Sequence, residues 1–211
     1  DLGVKQLIFA SSGGTVYGVP RTLPIPETHS TEPISEHGLG KLIAERYLAV
    51  YRHRGEIRSV VIRCANAYGP GQRPDRGQGF VGTVLGRLAT GKAVEVWGDG
   101  SVVRDYVYVE DVARAFAAAV GYEGDEAIFN VGSGRGVSVR EMITAVEAAT
   151  GQAPTVDYKP GRRNDVPANV LDVSLIEREL GWRPTTPLGI GLRETWEWIR
   201  TTWSPGQAAR Y

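Results

Sequence analysis

The sequence predicts an α/β fold in which short buried strands alternate with amphipathic helices and pair in parallel. Two apolar runs, "KQLIFA" and "RSVVIRCANAYGP", each end in turn residues, as buried strands of a parallel sheet do. Between them lies a helical pattern in which Leu39, Leu42, Ile43, Leu48 and Val50 recur at roughly helical spacing. Strand, helix and strand form a βαβ unit, whose two strands lie parallel in one sheet.

Composition limits the classes of protein to which the chain can belong. The 211 residues are enough for one large domain or two small ones with a real core. The formal net charge is zero, so the charge balance favours neither nucleic acid nor an anionic membrane as partner. Cys64 is the single cysteine, which excludes an intramolecular disulfide framework and fits a reducing compartment. With no apolar run near the roughly 20 residues that span a bilayer and no signal-peptide pattern at the start, we expect a cytoplasmic protein.

The remaining elements follow in order along the chain. Residues 19 to 34 hold four prolines and are expected to form an irregular connection, after which Ser35 caps the first helix. After a loop at 71 to 78, the patterns predict a helix ending at Gly91, strands at "AVEVWGDG" and "RDYVYV", the helix "EDVARAFAAAV" and the strand "AIFNVGSG". The spacing of serine and glutamate predicts capping boxes at Ser138/Glu141 and Ser174/Glu177, before "VREMITAVEAATG" and "LIEREL", and a last helix follows at "IGLRETWEWIRTTW".

Two stretches could carry chemistry. "SSGGTVYG" follows a strand, at the edge where ligands bind in open parallel sheets, and it offers the hydroxyls of Ser11, Ser12 and Thr15. His37 and Lys41 are four residues apart and therefore share one helix face. An ammonium beside a titrating group favours its deprotonated form, so this pair could act in acid/base catalysis. Taken alone, the loop could be a plain turn and the helix pair a solvated surface.

Taken together and in this order, "SSGGTVYG", "EHGLGKLIAE", "VIRCANAYGPGQ", "VEVWGDGSVVRDYVYVEDVARA" and "FNVGSG" resemble the nucleotide-sugar epimerase/dehydratase family, the extended short-chain dehydrogenase/reductases. The resemblance is closest to UDP-glucose 4-epimerase-type members. It implies NAD as cofactor, a UDP-sugar as substrate and transient oxidation at C4 of the sugar. It also implies that residues 1–70 form the later half of a Rossmann sheet, that 71–203 form mainly a smaller α/β substrate domain with segments returning to the sheet, and that 204–211 are a tail.

The resemblance also implies roles for individual residues. His37 stands where the family has its proton-exchanging tyrosine, and Lys41 stands at the family lysine, which lowers the pKa of that group. Ser12 or Thr15 would supply the hydroxyl that binds the sugar. The implied NAD contacts are Ser11, Lys41, Cys64 and Asn66. The implied substrate contacts are Tyr17, Asn66, Gly79, Phe80, Val81, Trp97, Arg104, Arg162 and Asp165, with the arginines on the diphosphate. No metal site is implied.

Three departures from the family pattern weaken the catalytic assignment. His37 replaces the tyrosine, and Gly13 stands where many members have the catalytic serine or threonine. The Gly-x-x-Gly-x-x-Gly phosphate turn of the Rossmann fold is not found near the start, so the resemblance lacks the N-terminal dinucleotide-binding portion. We therefore expect "KQLIFA" to offer an apolar edge to a homodimer mate or to a partner that supplies the missing sheet edge.

Other interpretations of these residues stay open. Asn66 could be turn chemistry, Trp97 could be core, Arg104 could form a structural ion pair with Asp105, and Arg162 could belong to a solvated basic spot. Tyr17 is also typical of packing. The alternative functions are a dehydratase or reductase of the same superfamily, or a non-catalytic protein that binds a nucleotide sugar or a partner. Dehydratases usually carry an Asp-Glu pair beside the catalytic threonine, and "SGGT" has none.

Overall fold

A computed structural model describes residues 3–161 and 165–203. The strands are β1 (Gln6–Ser12), β2 (Arg58–Cys64), β3 (Asn66–Tyr68), β4 (Val94–Trp97), β5 (Val103–Tyr108), β6 (Ile128–Val131), β7 (Gly136–Ser138), β8 (Val156–Lys159) and β9 (Ala168–Asn169). The helices are α1 (Glu36–His53), α2 (Phe80–Ala89), α3 (Val109–Ala119), α4 (Val139–Thr150), α5 (Ser174–Leu180) and α6 (Leu188–Thr202). The α/β class with parallel sheets, which the alternation of patterns predicts, is confirmed.

The first sheet has the order β1-β2-β6, and all three strands are parallel. Ser12 pairs with Cys64 and Cys64 with Val131, so the carboxyl ends of the three strands lie side by side. Apolar residues of β2 and β6 pack with α3 and α5 in one buried cluster, which includes Ile62 and Phe129. The alignment of strand ends gives one edge of the sheet at which loops can meet.

The remaining strands form two smaller sheets. In one, β5 is parallel to β3 and β9 and antiparallel to β7; in the other, β4 and β8 pair in parallel. Helices α2, α4 and α6 pack with these strands around a second core that contains Leu85, Met142 and Leu192. The structure corrects the prediction of one strand over "RSVVIRCANAYGP": the chain leaves the first sheet at Ala65, whose N–H still bonds to Val131, and β3 joins β5 instead.

Helix starts follow the sequence in two of three cases. The Ser35 hydroxyl accepts the Gly38 N–H at 3.2 Å, and Ser138 and Glu141 form the complete capping box, so both predictions are confirmed. The prediction at Ser174 is wrong, because Ser174 is the first helical residue of α5 rather than its cap. The Ser174 N–H donates to the Asp172 carboxylate at 2.9 Å. The side chain that satisfies this end of α5 is therefore Asp172, two residues earlier, rather than Ser174.

Helix α1 packs its polar side inward. Its two buried residues are Gly38 and Glu45, whereas Leu39, Ile43 and Val50 are exposed. The helical spacing of these apolar residues therefore marks an outward face, and the inward face is organised around a carboxylate. Within 3–161 and 165–203, no helix is long and apolar enough to cross a bilayer.

Candidate active site

The loop after β1 sits at the shared strand edge and continues the sheet by one residue. The Gly13 N–H bonds to the Cys64 carbonyl at 2.8 Å, and the chain then turns so that the Thr15 and Val16 N–H groups bond to the Ser12 carbonyl. Ser12 is half-buried, and within the described residues its hydroxyl makes no hydrogen bond. Ser12 is thus the loop hydroxyl that stays available to a ligand.

Thr15 brings the loop against the start of α1. Its Oγ1 is fully buried and has no hydrogen-bond partner within the part of the chain described here, and the same is true of Asn169 Oδ1. The Asn169 amide donates to the Gly13 carbonyl at 3.1 Å, so this side chain ties the loop to β9. A Cβ at Gly38 would lie only 2.6 Å from the Thr15 carbonyl oxygen, which explains why glycine follows His37.

Lys41 contacts β1, whereas His37, one turn earlier on α1, makes no such contact within the described residues. The Lys41 ammonium donates to the Ala10 carbonyl at 2.8 Å and lies 5.2 Å from the Phe9 ring centroid. His37 is exposed, and within the described residues its ring makes no hydrogen bond or ion pair. The structure therefore places the Lys41 ammonium on Ala10 of β1, two residues before Ser12, while the acid/base role of His37 stays a prediction.

Gly13 is closed by a neighbouring side chain. A Cβ built at Gly13 would lie 2.5 Å from Leu171 Cδ1 and 3.0 Å from the Arg63 carbonyl oxygen. Leu171 is fully buried in a cluster with Val16, so it has little room to move aside. Leu171 therefore fills the space that a side chain at position 13 would occupy.

We expect Gly13→Ser to lower the free energy of unfolding by about 1–3 kcal/mol, because the new side chain overpacks a filled core. Chemical denaturation followed by tryptophan fluorescence measures this loss. In the double variant with Leu171→Ala, the loss should be smaller than the sum of the two single losses, since each change relieves the other. Simple additivity of the two losses would contradict the steric interpretation of Gly13.

A buried polar network behind the loop was missed by the sequence reasoning. Arg63 and Glu45 form an ion pair at 2.6 Å with both side chains 3% exposed, and Ser11 donates its hydroxyl to the same carboxylate. Tyr17 donates to Asn130 Oδ1 at 2.7 Å and accepts from Arg63 Nη1 at 3.0 Å. An arginine inside the apolar run "SVVIRCAN" was the signal that could have predicted the network, since a charge in a buried strand needs a partner.

This network corrects two of the predicted ligand contacts. Ser11 was expected to bind NAD, but its hydroxyl is buried and committed to Glu45. Tyr17 was expected to border the sugar, but it is fully buried, and burial raises its pKa to about 12. Both side chains hold the loop rather than a ligand. Cys64, the third predicted contact at this edge, is half-buried, and burial raises the pKa of its thiol to about 12 although Lys41 acts in the opposite direction.

Arg104 and Asn66 lie on the paired strands β5 and β3. The Asn66 amide donates to the Asp105 carbonyl at 3.0 Å, across the β3–β5 pair. Arg104 is half-buried, and its Nη1 donates to the carbonyls of Val103 and Val166 at 2.9 and 2.7 Å. Within the described residues, Nε and Nη2 of Arg104 have no acceptor. Among the described residues, the guanidinium is therefore fixed by one nitrogen.

Arg104 does not form the alternative ion pair with Asp105. Asp105 is fully buried and accepts from Ser133, Gly134 and Leu171 instead. Burial lowers the pKa of Arg104, while Tyr106 and Asp165 act in the opposite direction. Exposed Asp165 therefore lies close enough to Arg104 to interact with its charge.

The other predicted substrate residues differ in exposure. Gly79 precedes α2 at a φ of 82°, a conformation that favours glycine, and Phe80 is half-buried behind it. Val81 is 1% exposed in the second core, so only its backbone could border a ligand, and its predicted role stays a prediction. Trp97 is 41% exposed and is therefore not the core residue of the alternative interpretation. Arg162 lies outside the described residues.

The arrangement suits organic ligands with hydroxyl and phosphate groups. Lys41 uses one donor on Ala10, and the buried oxygens of Thr15 and Asn169 lack partners within the described residues, so the residues present fit a cofactor with a hydroxylated ribose at this edge. Among the residues that the structure describes, no group of three or more His, Cys, Asp and Glu is placed to hold a metal ion.

Residues 1–132 match the family model described as the NAD dependent epimerase/dehydratase family. The chain is 38% identical over 198 residues to a UDP-glucose 4-epimerase of Mycolicibacterium smegmatis, which covers 94% of this chain and 63% of the relative. It is 34% identical to a dTDP-4-dehydro-6-deoxyglucose reductase of Escherichia coli, covering 94% of this chain and 62% of that relative. The chain thus spans less than two thirds of the length of these relatives.

Solved structures give the same result. The UDP-glucose 4-epimerase of Thermotoga maritima with UDP-glucose superposes with a TM-score of 0.89 at 40% identity, covering 96% of this chain and 65% of that one. The UDP-glucose 4-epimerase of Thermus thermophilus in complex with NAD gives a TM-score of 0.86 at 39% identity, with 95% and 65% covered.

Proposed function

The chain belongs to the NAD-dependent epimerase/dehydratase family, and from that premise we propose that its residues serve a nucleotide-sugar 4-epimerase of the UDP-glucose type. The observation that carries this proposal is the placement of Lys41. Its ammonium lies at the strand edge beside the hydroxyl loop, where the family's lysine acts on a proton-transfer group. The similarity to enzymes with bound UDP-glucose and NAD supports the same substrate and cofactor.

The residues of this chain would divide the work as follows. Lys41 stabilises the deprotonated form of a neighbouring proton-transfer group, which the family resemblance identifies as His37. Ser12, rather than Thr15 with its buried hydroxyl, would bind and orient the sugar hydroxyl, Lys41 and Asn66 would hold the cofactor, and bound NAD would accept the hydride from C4 of the sugar.

The nucleotide end of the substrate would be bound by residues on and beside the two smaller sheets. The Nε and Nη2 of Arg104, which have no acceptor among the described residues, suit the oxygens of a diphosphate, because a guanidinium offers its donors in a fixed fork. The exposed indole of Trp97 would lie against the uracil, the backbone at Gly79 and Phe80 would border the nucleotide, and Asp165 would accept from the ribose. Arg162 remains a proposed second phosphate ligand.

Titration calorimetry tests this function on the chain. We expect UDP-glucose to bind to the chain. NAD binding and the formation of UDP-galactose are measured in a full-length context, where we expect conversion to be slow and to rise in His37→Tyr, which restores the family's proton-exchanging group. The proposal is wrong if the folded chain binds neither ligand. Binding of both ligands without any turnover in His37→Tyr would show that His37 does not stand at the position of the family's tyrosine.

A second candidate is a protein that binds nucleotide sugars without catalysis. The exposure of His37 and the closure of Gly13 by Leu171 favour it, because both reactive positions of the family are altered. Binding of UDP-glucose without measurable binding of NAD would select this candidate over the enzyme.

The partner proposed for the chain is a second copy of itself, docked through α1. Leu39, Ile43, Tyr47, Val50 and Tyr51 follow one another at helical spacing and are 43–64% exposed; we call them the α1 stripe. Exposed apolar residues grouped on one helix are typical of interaction sites, and a helix face can pair with its own copy around a two-fold axis. The single cysteine and this family membership also support a cytoplasmic location.

We expect Ile43→Glu and Tyr47→Glu to convert a dimer into a monomer, because each buries a charge without a partner at the interface. Sedimentation velocity at several protein concentrations measures the change. Lys92→Glu, an exposed change away from α1, serves as the matched control and should leave the dimer intact. A wild-type chain that sediments as a monomer at all concentrations would exclude this partner.

A further inference from the structure

The strongest feature outside the proposed contacts is the ion pair between α1 and β2. Nε of Arg63 lies 3.1 Å from Oε1 and 3.3 Å from Oε2 of Glu45, and Nη2 lies 2.6 Å from Oε2. Both side chains are 3% exposed. The contact is a two-pronged arrangement, which fixes direction as well as distance between the two elements.

The same guanidinium also holds the loop. Nη1 of Arg63 donates to the Tyr17 hydroxyl at 3.0 Å and to the Glu27 carbonyl at 3.4 Å, and the guanidinium carbon lies 4.9 Å from the Tyr17 ring centroid. Arg63 therefore touches α1 on one side and the segment after β1 on the other. A change at this one residue alters the position of both.

Lys41 and Glu45 are one helical turn apart and reach adjacent residues of β1. Lys41 donates to the Ala10 carbonyl, and Glu45 accepts from the Ser11 hydroxyl. Since Glu45 and Gly38 are the buried residues of α1, no large apolar side chain is fully buried along the inward face of this described helix. The rotation and height of α1 are therefore set by directional bonds, those of Glu45 near its middle and those of Arg52 near its end, which donates to the carbonyls of Ser59, Asp125 and Glu126.

A buried ion pair is a poor source of net stability, because desolvation of both charges offsets their attraction. Apolar side chains of similar volume often serve stability as well or better. The value of this pair must then lie in the orientation that its directional bonds give to α1. Lys41, one turn before Glu45, is the nearest reactive group on that helix.

We propose that the Glu45–Arg63 pair is a positioning element that holds Lys41 at the strand edge beside the Ser12–Thr15 loop. The inference rests on the proposed function for the use made of Lys41. The alignment itself is a property of the chain and can be measured without substrate or cofactor.

Competitive acetylation read by mass spectrometry tests the alignment. In the wild-type chain, Lys41 should react more slowly than exposed Lys92, because its ammonium donates to Ala10. In the double variant Glu45→Met/Arg63→Met, the Lys41 rate should rise about fivefold, the factor that corresponds to loss of one ordinary hydrogen bond. The Lys92 rate should not change. Arg63→Lys keeps the charge but loses the fork, and it should also release Lys41.

The double variant separates alignment from stability, since it removes both charges together and is expected to fold cooperatively. If it does not fold, Glu45→Gln keeps the volume of the side chain and gives the same measurement. An unchanged Lys41 rate in a folded variant would show that the pair is merely structural and would overturn the proposal. Affinity for UDP alone, which is proposed to depend on Arg104 and not on the loop, should be unaffected, so failure of the proposed function is distinguishable from failure of this inference.

Discussion

Asp105→Ala is expected to lower the free energy of unfolding by about 3–5 kcal/mol, because it leaves several buried donors without an acceptor. Asp105 is fully buried. Its Oδ1 accepts the Ser133 N–H at 2.7 Å and the Ser133 hydroxyl at 2.6 Å, and its Oδ2 accepts the Gly134 and Leu171 N–H groups at 3.2 Å. One carboxylate thereby joins β5 to the turn after β6 and to the segment after β9.

Chemical denaturation followed by tryptophan fluorescence measures this loss. Asp105→Asn retains one acceptor oxygen and should fall between the wild-type chain and Asp105→Ala. Asp157→Ala, which removes an exposed carboxylate paired with Lys159, is the matched control and should change stability by no more than about 1 kcal/mol. A loss below that value in Asp105→Ala would mean that water replaces the carboxylate without penalty.

Arg104→Ala should have the largest effect on ligand binding. We expect UDP affinity to fall by about 1.5–3 kcal/mol, or about 10- to 150-fold in Kd, which is the value of a hydrogen bond to a charged group. The expectation rests on the geometry of this side chain, since Nη1 is held by the carbonyls of Val103 and Val166 and the remaining donors are available within the described residues.

Titration calorimetry with UDP measures this affinity. Arg104→Lys keeps the charge but not the fork, and it should recover only part of the loss. Arg193→Ala removes an exposed arginine of α6; it is the matched control for a lost arginine and should bind UDP as the wild-type chain does. Unchanged affinity in a folded Arg104→Ala variant would remove Arg104 from the site.

The parts of the fold that the sequence predicts are those with a local cause. The strands of the first sheet are apolar runs, and the caps at Ser35 and Ser138 lie within three residues of their partners. Strands β7, β8 and β9 were not predicted. Of these, β7 and β9 have three and two residues, which are too few to show a periodicity, so they become strands only by pairing. The change of sheet at Ala65 also depends on pairing. The strand β3 joins β5, which lies far along the sequence, so no local pattern marks the point where the chain leaves the first sheet.

The candidate site divides in the same way. The sequence places Lys41 on the first helix after the hydroxyl loop, and in the structure its ammonium donates to Ala10 of β1, two residues before Ser12. It could not predict that Ser11 and Tyr17 face inward, since the partners that claim them, Glu45 and Asn130, are 34 and 113 residues away. The hydroxyls of "SSGGTVYG" look equivalent in the sequence. They differ only in the residue that the fold places next to each of them.

By itself the sequence determined the α/β class, the order of the main elements and the family, because apolar periodicity, caps and motif order act over a few neighbouring residues. Only the tertiary structure decided that Leu171 fills the space at Gly13, that Arg104 bonds to carbonyls rather than to Asp105, and that Arg63 joins α1 to the loop. The physical reason is that a buried polar group takes whichever partner the packed elements bring within reach, and that choice depends on the positions of whole strands and helices rather than on any local pattern.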